Sequence, residues 1–295
     1  MATGTVLAMP PLELIQHLSG SDTEASYRDI GVLFRRLLCH PGGLKPTDRV
    51  LEVGSGIGRM AQAIGDYVVP PGSYDGVEIA PPGVDWCTAN VTTQWPHFRF
   101  RHADLYNSMY NPNGPVRARR YRFPFADASF DFVFLTSVFT HLLPPDAAHY
   151  LDEVARVLKP GGRLFATFFL ISADRVDGIR RGDGVGLFRD LHRYDKPQLP
   201  AGEPPAYGDC FFANPAVPEG AVGYDPRWLA DHLRGCGLTP DATTYLGTWD
   251  GRPSEWDGQD VVCATKTGTP AFGHTLKKAM RLDGLREWVW RRKKK

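Results

Sequence analysis

Apolar positions along the chain change period several times, and each change marks an element. Two N-terminal stretches, PPLELIQHLSG and SYRDIGVLFRRLLCH, carry helical spacing, and in the second Ile30, Leu33, Phe34, Leu37 and Leu38 fall on one face. From Arg49 to Leu170 short apolar runs alternate with helical patterns. Arg49–Val53 reads as a buried strand, followed by a glycine turn and a helix starting near Gly58. Tyr74–Ile79 reads as a second strand, with VDWCTANVTTQW as the crossover helix after it, and a third strand ends at the turn His102–Leu105. FPFADASFDFVFLTSVFTHL supplies a loop, a fourth strand and the turn beyond; LDEVARVLKPGGRLFATFFL supplies a helix, a turn and a fifth strand. This alternation predicts a doubly wound α/β sheet whose parallel strands are joined by right-handed crossovers. Beyond the helix PRWLADHLRGCG, the stretch from Gly237 or Leu238 to Gly247 and the stretch Gln259–Lys266 read as a closing antiparallel hairpin at the sheet edge. The expectation is a mixed sheet of seven strands with the last antiparallel.

Three regions fall outside this alternation. Residues 1–43 form a helical segment or lid ahead of the main domain, residues 44–266. Residues 172–225, between the fifth strand and the next helix, are dense in Gly, Pro and aromatic residues. An irregular insertion this long is functional or disordered, and Phe188, Tyr194, Tyr207, Phe211 and Phe212 argue for order. Residues 267–295 form a basic tail: from His274 onward nine Lys or Arg face two acids, a charge of +7, against −6 for the remainder of a chain whose net charge is +1. Leu282, Leu285, Trp288 and Val289 lie on one helical face of that tail. Either the tail docks or frays, or it makes weak contact with an anionic membrane surface.

Composition narrows the class. A chain of 295 residues, 42% hydrophobic, suits one α/β domain with insertions. No run approaches the roughly 20 apolar residues of a membrane span, and the N-terminus lacks a signal-peptide pattern. Five scattered cysteines, none in a Cys-x-x-Cys pair, fit a reduced cytoplasmic setting and no metal site. Four arginines between Arg117 and Arg122 read either as a solvated loop or as an anion site at the carboxyl edge of the sheet.

The glycine turn carries the chemistry. Gly54, Ser55, Gly56 and Gly58 let the backbone turn sharply and approach a ligand, and the following helix start offers unpaired N–H groups. Position 59, where a dinucleotide fingerprint places its third glycine, holds Arg59. Glu52, two residues before the turn, opposes a pyrophosphate and suits an ammonium, so a ligand with an ammonium and a sulfonium fits better than one with two phosphates.

VLEVGSGIG resembles the first motif of class I S-adenosylmethionine-dependent methyltransferases, and YDGVEI, HADL, the FPFADASFDFVFLTSVFTHL segment and the KPGG-bearing segment agree in order and spacing. The resemblance covers roughly Leu44 to Thr265 and implies a Rossmann-like fold, S-adenosyl-L-methionine as cofactor, methyl transfer, and an insertion, residues 172–225, that covers the acceptor. It implies that Glu52 orders the methionine end, Glu78 accepts the ribose hydroxyls, Ile79 stacks on adenine, Asp104 takes the adenine amine with Leu105 beside it, and Leu135 and Thr136 line the path to the sulfonium. Arg59 either meets the cofactor carboxylate or is solvated. His141, just past the fourth strand, is the candidate general base for a hydroxyl acceptor; His192 and Asp195 are outside candidates. The expected activity is O-methylation of a small molecule or a sugar or glycan hydroxyl. N-methylation of a small amine and a non-catalytic cofactor-binding module are the alternatives, and no nucleic-acid partner is expected.

Overall fold

A computed structural model describes residues 8–183, 188, 191–193 and 210–268. Residues 269–295 of the basic tail, including Leu282, Leu285, Trp288 and Val289, lie outside the described residues, as do Tyr194, Asp195 and Tyr207.

Two helices open the chain, α1 (Leu12–Leu18) and α2 (Glu24–Cys39). α2 starts at a reciprocal cap in which the Thr23 hydroxyl accepts from the Ser26 N–H. It buries Tyr27, Gly31, Phe34 and Leu38, with Ile30, Leu33 and Leu37 partly covered, which is the face the periodicity predicts. The alternating core follows: β1 (Arg49–Val53), α3 (Arg59–Ile64), β2 (Ser73–Glu78), α4 (Pro81–Gln94), β3 (Phe98–His102), β4 (Phe130–Leu135), α5 (Pro144–Val157) and β5 (Leu158–Leu170). Proline opens α4 and α5 at the position where no intrahelical N–H is needed. Then come α6 (Ala173–Gly178), β6 (His192–Arg193), β7 (Cys210–Phe212), β8 (Val222–Tyr224), α7 (Pro226–Gly235), β9 (Leu238–Pro240) and β10 (Asp260–Lys266).

Seven strands make the main sheet in the order β3-β2-β1-β4-β5-β10-β9. β3 through β5 run parallel, and β10 lies antiparallel to both β5 and β9. The expected mixed sheet with its antiparallel last strand is therefore present. Order reverses between β1 and β4, the topological switch at which open α/β sheets bind ligands beyond the carboxyl ends of the strands. β1 and β4 are buried along nearly their whole length because helices cover both faces.

Two features depart from the expected pattern. β5 runs through the Lys-Pro-Gly-Gly turn, absorbing it as a register shift against β4. The insertion adds a small sheet of its own: β8 pairs parallel with Phe169 and Leu170 of β5, and β7 and β6 follow antiparallel. No helix among the described residues is long and apolar enough to cross a membrane.

Candidate active site

The carboxyl ends of β1, β2 and β4 open into a cavity of about 540 Å³, a size suited to a cofactor or small ligand. Its floor is the predicted glycine turn: Glu52, Gly54, Ser55 and Gly56 line it, with Glu78 and Ile79 from the end of β2, Leu105 after β3 and Thr136 after β4. The backbone explains two of the glycines. Gly54 sits at φ 82°, and a Cβ there would meet Val138 Cγ2 at 2.4 Å. Gly58 caps α3 at φ 75° and is absent from the lining; a Cβ there would press on Cys87 Sγ at 2.8 Å, so it serves helix packing.

The two carboxylates have different environments. Glu78 is buried and accepts three backbone N–H bonds, from Gly56 (2.7 Å), Ile79 (2.8 Å) and Ala80 (2.9 Å). Burial raises its pKa, and those amides oppose the rise. Glu78 thus shapes the glycine turn itself while keeping lone-pair capacity for a ligand hydroxyl. Glu52 is fully enclosed and accepts from the Tyr74 hydroxyl. Desolvation pushes its pKa up to about 8, against the pull of the Tyr74 hydrogen bond and of Arg59.

That shift has a stability consequence whose sign is fixed. Between the ordinary value of 4.5 and about 8, native Glu52 holds a proton that the unfolded chain has lost. The unfolded state binds fewer protons across this window, so stability falls as pH rises through it. Glu52→Gln keeps an acceptor for Tyr74 and removes the loss. Its melting temperature is expected to exceed that of the wild type at pH 8 by several degrees, at about 2–4 °C per kcal/mol for a chain of this size class, and the gain should nearly vanish at pH 5. Thermal melts at the two pH values check this; an equal gain at both would refute the assignment.

The N-terminal helices close one side. Leu18, Ser19 and Gly20 reach the cavity from the end of α1, and Ile30, Leu33 and Phe34 from α2. Arg59 fastens them, donating from Nη1 to the Ser19 carbonyl (3.0 Å) and the Ser21 hydroxyl (2.9 Å). It lines the cavity and is half-buried; desolvation lowers its pKa. The opposite wall comes from an unexpected source, the connection between β9 and β10, which supplies Trp256, Asp257, Gly258 and Gln259. Three buried polar atoms of the wall, Ser55 Oγ, Arg59 Nε and Trp256 Nε1, have no hydrogen-bond partner among the described residues. Orphaned donors around one cavity are what a polar ligand satisfies.

Other predicted residues lie differently. Asp104 is exposed, accepts from Asn111 Nδ2 at 2.9 Å and is not among the lining residues. Leu135 is buried in the core beneath the site. No described residue of the insertion 172–225 lines the cavity; rim positions are taken instead by Tyr106, Asn107 and Tyr110 from the loop after β3. Of the four arginines, Arg117 stacks over the Tyr106 ring at 3.6 Å. His192 lies in β6, stacked on Phe212 and away from the lining. Among the described residues no cluster of three His, Cys, Asp or Glu could hold a metal ion.

His141 is on the wall, in a short helical turn after β4. Its Nδ1 lies 2.9 Å from the Glu219 backbone carbonyl. A carbonyl only accepts, so Nδ1 carries the proton and Nε2 the lone pair. Burial lowers the imidazole pKa below its usual 6.5. The Glu219 carboxylate meanwhile accepts from the Ser108 N–H (2.9 Å) and its hydroxyl, clasping the rim loop. Tyr110 from that loop meets His141 edge-on, ring centres 5.9 Å apart.

A switch-point cavity floored by a glycine turn, with carboxylates at the ends of β1 and β2 and β10 antiparallel at the far side, defines the class I methyltransferase fold. Residues 51–166 match the family model described as "Methyltransferase domain", and this segment is a methyltransferase domain of the S-adenosylmethionine-dependent class. An uncharacterized methyltransferase of Schizosaccharomyces pombe is 34% identical over 119 residues, 40% of this chain and 39% of that protein. A demethylmenaquinone methyltransferase of Beutenbergia cavernae is 31% identical over 137 residues, 46% of this chain and 47% of that protein. The chain thus spans less than half the length of these relatives. A SAM-dependent methyltransferase from Methanosarcina mazei superposes with a TM-score of 0.50 at 18% identity, over 77% of this chain and 95% of that one, a likeness of fold.

Proposed function

We propose that this chain is an S-adenosylmethionine-dependent methyltransferase that methylates a hydroxyl group of a small, largely apolar molecule, with His141 as general base. The observation that carries the proposal is the Nδ1–H of His141 bonded to the Glu219 carbonyl, which leaves Nε2 as a proton acceptor on the wall of the cofactor cavity. An amine acceptor, nucleophilic in its neutral form, has less need of such a group. Lining by Ile30, Leu33, Phe34, Leu142 and Tyr150 favours an aromatic or aliphatic hydroxyl compound over a sugar. The demethylmenaquinone methyltransferase relative, by its name, also acts on a small molecule.

The residues present fit the cofactor. Glu52 would face the amino group, Glu78 would take a ribose hydroxyl, Ile79 would pack on the adenine, and the orphaned Ser55 Oγ and Arg59 Nε would find partners. When bound, S-adenosylmethionine supplies an electrophilic methyl group on a sulfonium. The protein's task is alignment: apolar walls exclude water, and the docked α1–α2 segment fixes the floor. Holding two reactants in line lowers such a barrier by about 7–11 kcal/mol in favourable models. His141 Nε2 then accepts the hydroxyl proton as the oxygen attacks, and the Glu219 carbonyl stabilises the imidazolium through Nδ1–H.

The test is a panel of phenols, alcohols and amines incubated with isotopically labelled methyl donor and read by mass spectrometry. Label on hydroxyl oxygen is the expected result. Transfer to amines alone would replace the O-methylation reading. Failure of the wild type to bind S-adenosylhomocysteine in calorimetry would remove the methyltransferase reading altogether.

A further inference from the structure

Gln259 lines the same cavity as His141, on the wall formed by the β9–β10 connection. Its amide orientation is set by a chain of hydrogen bonds. Ser137 holds an uncommon left-handed backbone, φ 57°, just after β4. Its N–H donates to Thr167 Oγ1 at 2.8 Å. That hydroxyl, already accepting, sends its own proton to Gln259 Oε1 at 2.6 Å, and the Ser137 hydroxyl reaches the same oxygen at 3.3 Å. Oε1 is therefore the end turned to β5, where Thr167 is fully buried. The other end, Nε2, carries two donor protons with no protein acceptor among the described residues.

We propose that Gln259 is a specificity-determining residue: its Nε2 donates a hydrogen bond to an oxygen acceptor on the substrate, distinct from the hydroxyl that is methylated. The substrate class follows from the pair of side chains. His141 Nε2 takes a proton and Gln259 Nε2 offers one, so the cavity reads a molecule that carries both a hydroxyl and a second, hydrogen-bond-accepting oxygen, such as a carbonyl, on an apolar frame. A molecule lacking the second oxygen leaves the amide unpaired and is discriminated against. Nothing in this segment belongs to the matched methyltransferase domain, which ends at residue 166. Acceptor choice therefore resides partly in residues more than ninety positions further along the chain. The inference rests on the proposed O-methyl transfer.

The experiment uses full-length protein saturated with S-adenosylhomocysteine and matched probes: ortho-, meta- and para-hydroxyacetophenone, each against the ethylphenol of the same substitution. Each pair differs by a single carbonyl oxygen in nearly the same shape. Binding is followed by ligand-observed NMR. In the wild type at least one ketone is expected to bind about 10-fold more tightly than its ethylphenol, the effect of one buried hydrogen bond. Gln259→Leu should abolish the preference. Gln259→Glu, which keeps the Thr167 hydrogen bond and replaces the donor by an acceptor, should abolish or invert it. Both variants should bind S-adenosylhomocysteine as the wild type does, which also reports that they fold. Three results would each overturn the assignment: no ketone preferred by the wild type, binding of neither member of any pair, or a preference surviving in both variants. Loss of S-adenosylhomocysteine binding in both variants would place Gln259 in the cofactor site instead. A wild type that fails to bind S-adenosylhomocysteine points to the underlying activity and not to Gln259.

Discussion

Replacing His141 by alanine is expected to lower turnover on a hydroxyl acceptor by about 10²–10⁴-fold, the range for a lost general base, with S-adenosylhomocysteine affinity nearly unchanged. The separation of the two effects follows from placement. His141 stands after β4 and bonds to Glu219, whereas the groups proposed for the cofactor lie at the ends of β1 and β2 and at the start of α3. The pH profile gives an independent check. Only the neutral imidazole accepts a proton, so activity falls on the acid side, and because burial lowers the pKa the fall should be centred below 6.5. In the alanine variant that acid limb should disappear together with the rate. Near-normal turnover with chemistry shown to be rate-limiting would leave His141 as a packed wall residue beside Tyr110.

Glu78→Gln is expected to weaken S-adenosylhomocysteine binding by about 1.5–3 kcal/mol, the range for a hydrogen bond to a charged group, or roughly 10–150-fold. Two losses combine. The proposed ribose contact loses a carboxylate oxygen. The side chain also satisfies the N–H groups of Gly56, Ile79 and Ala80 with two oxygens, and an amide would turn an N–H₂ toward at least one of them. That conflict moves Gly56, whose carbonyl lies where a Cβ on Gly83 would come to 2.5 Å. Titration calorimetry gives the affinity, and circular dichroism shows whether the fold survives. Wild-type affinity in the variant would mean that Glu78 serves the turn alone.

The main sheet was legible because its signals are local. Strand β1 runs from Arg49 to Val53 as its apolar run predicts, and the glycine turn follows because Gly54 and Gly58 occupy positive φ beside Val138 and Cys87. The N-terminal helices were readable as an amphipathic face, and Arg59 bonds to Ser19 and Ser21 in the turn between them. What local patterns could not carry is pairing at long range. Trp256 and Gln259 enter the site because Asp260 pairs with Phe168 across more than ninety residues of sequence. In the sequence the connection that carries them is marked only by two tryptophans, Trp249 and Trp256. Asp104, a carboxylate just past a strand end, accepts from Asn111 in the following loop, a contact that the local pattern does not mark. The aromatics of the insertion drew attention to the ligand, yet Phe188 and Phe211 pack with Phe169 and Ile171 in a core of their own.

Glu219 joins two properties that an enzyme would otherwise adjust separately. Its carbonyl sets which nitrogen of His141 is basic, and its carboxylate holds Ser108 and so the rim that carries Tyr110. A substitution that widens the mouth by freeing Ser108 also loosens the backbone that fixes the imidazole. On the proposed role of His141, acceptor range and working pH are inherited together: a descendant that admits bulkier molecules through this rim should also shift its acid limit, unless a second change re-anchors the histidine.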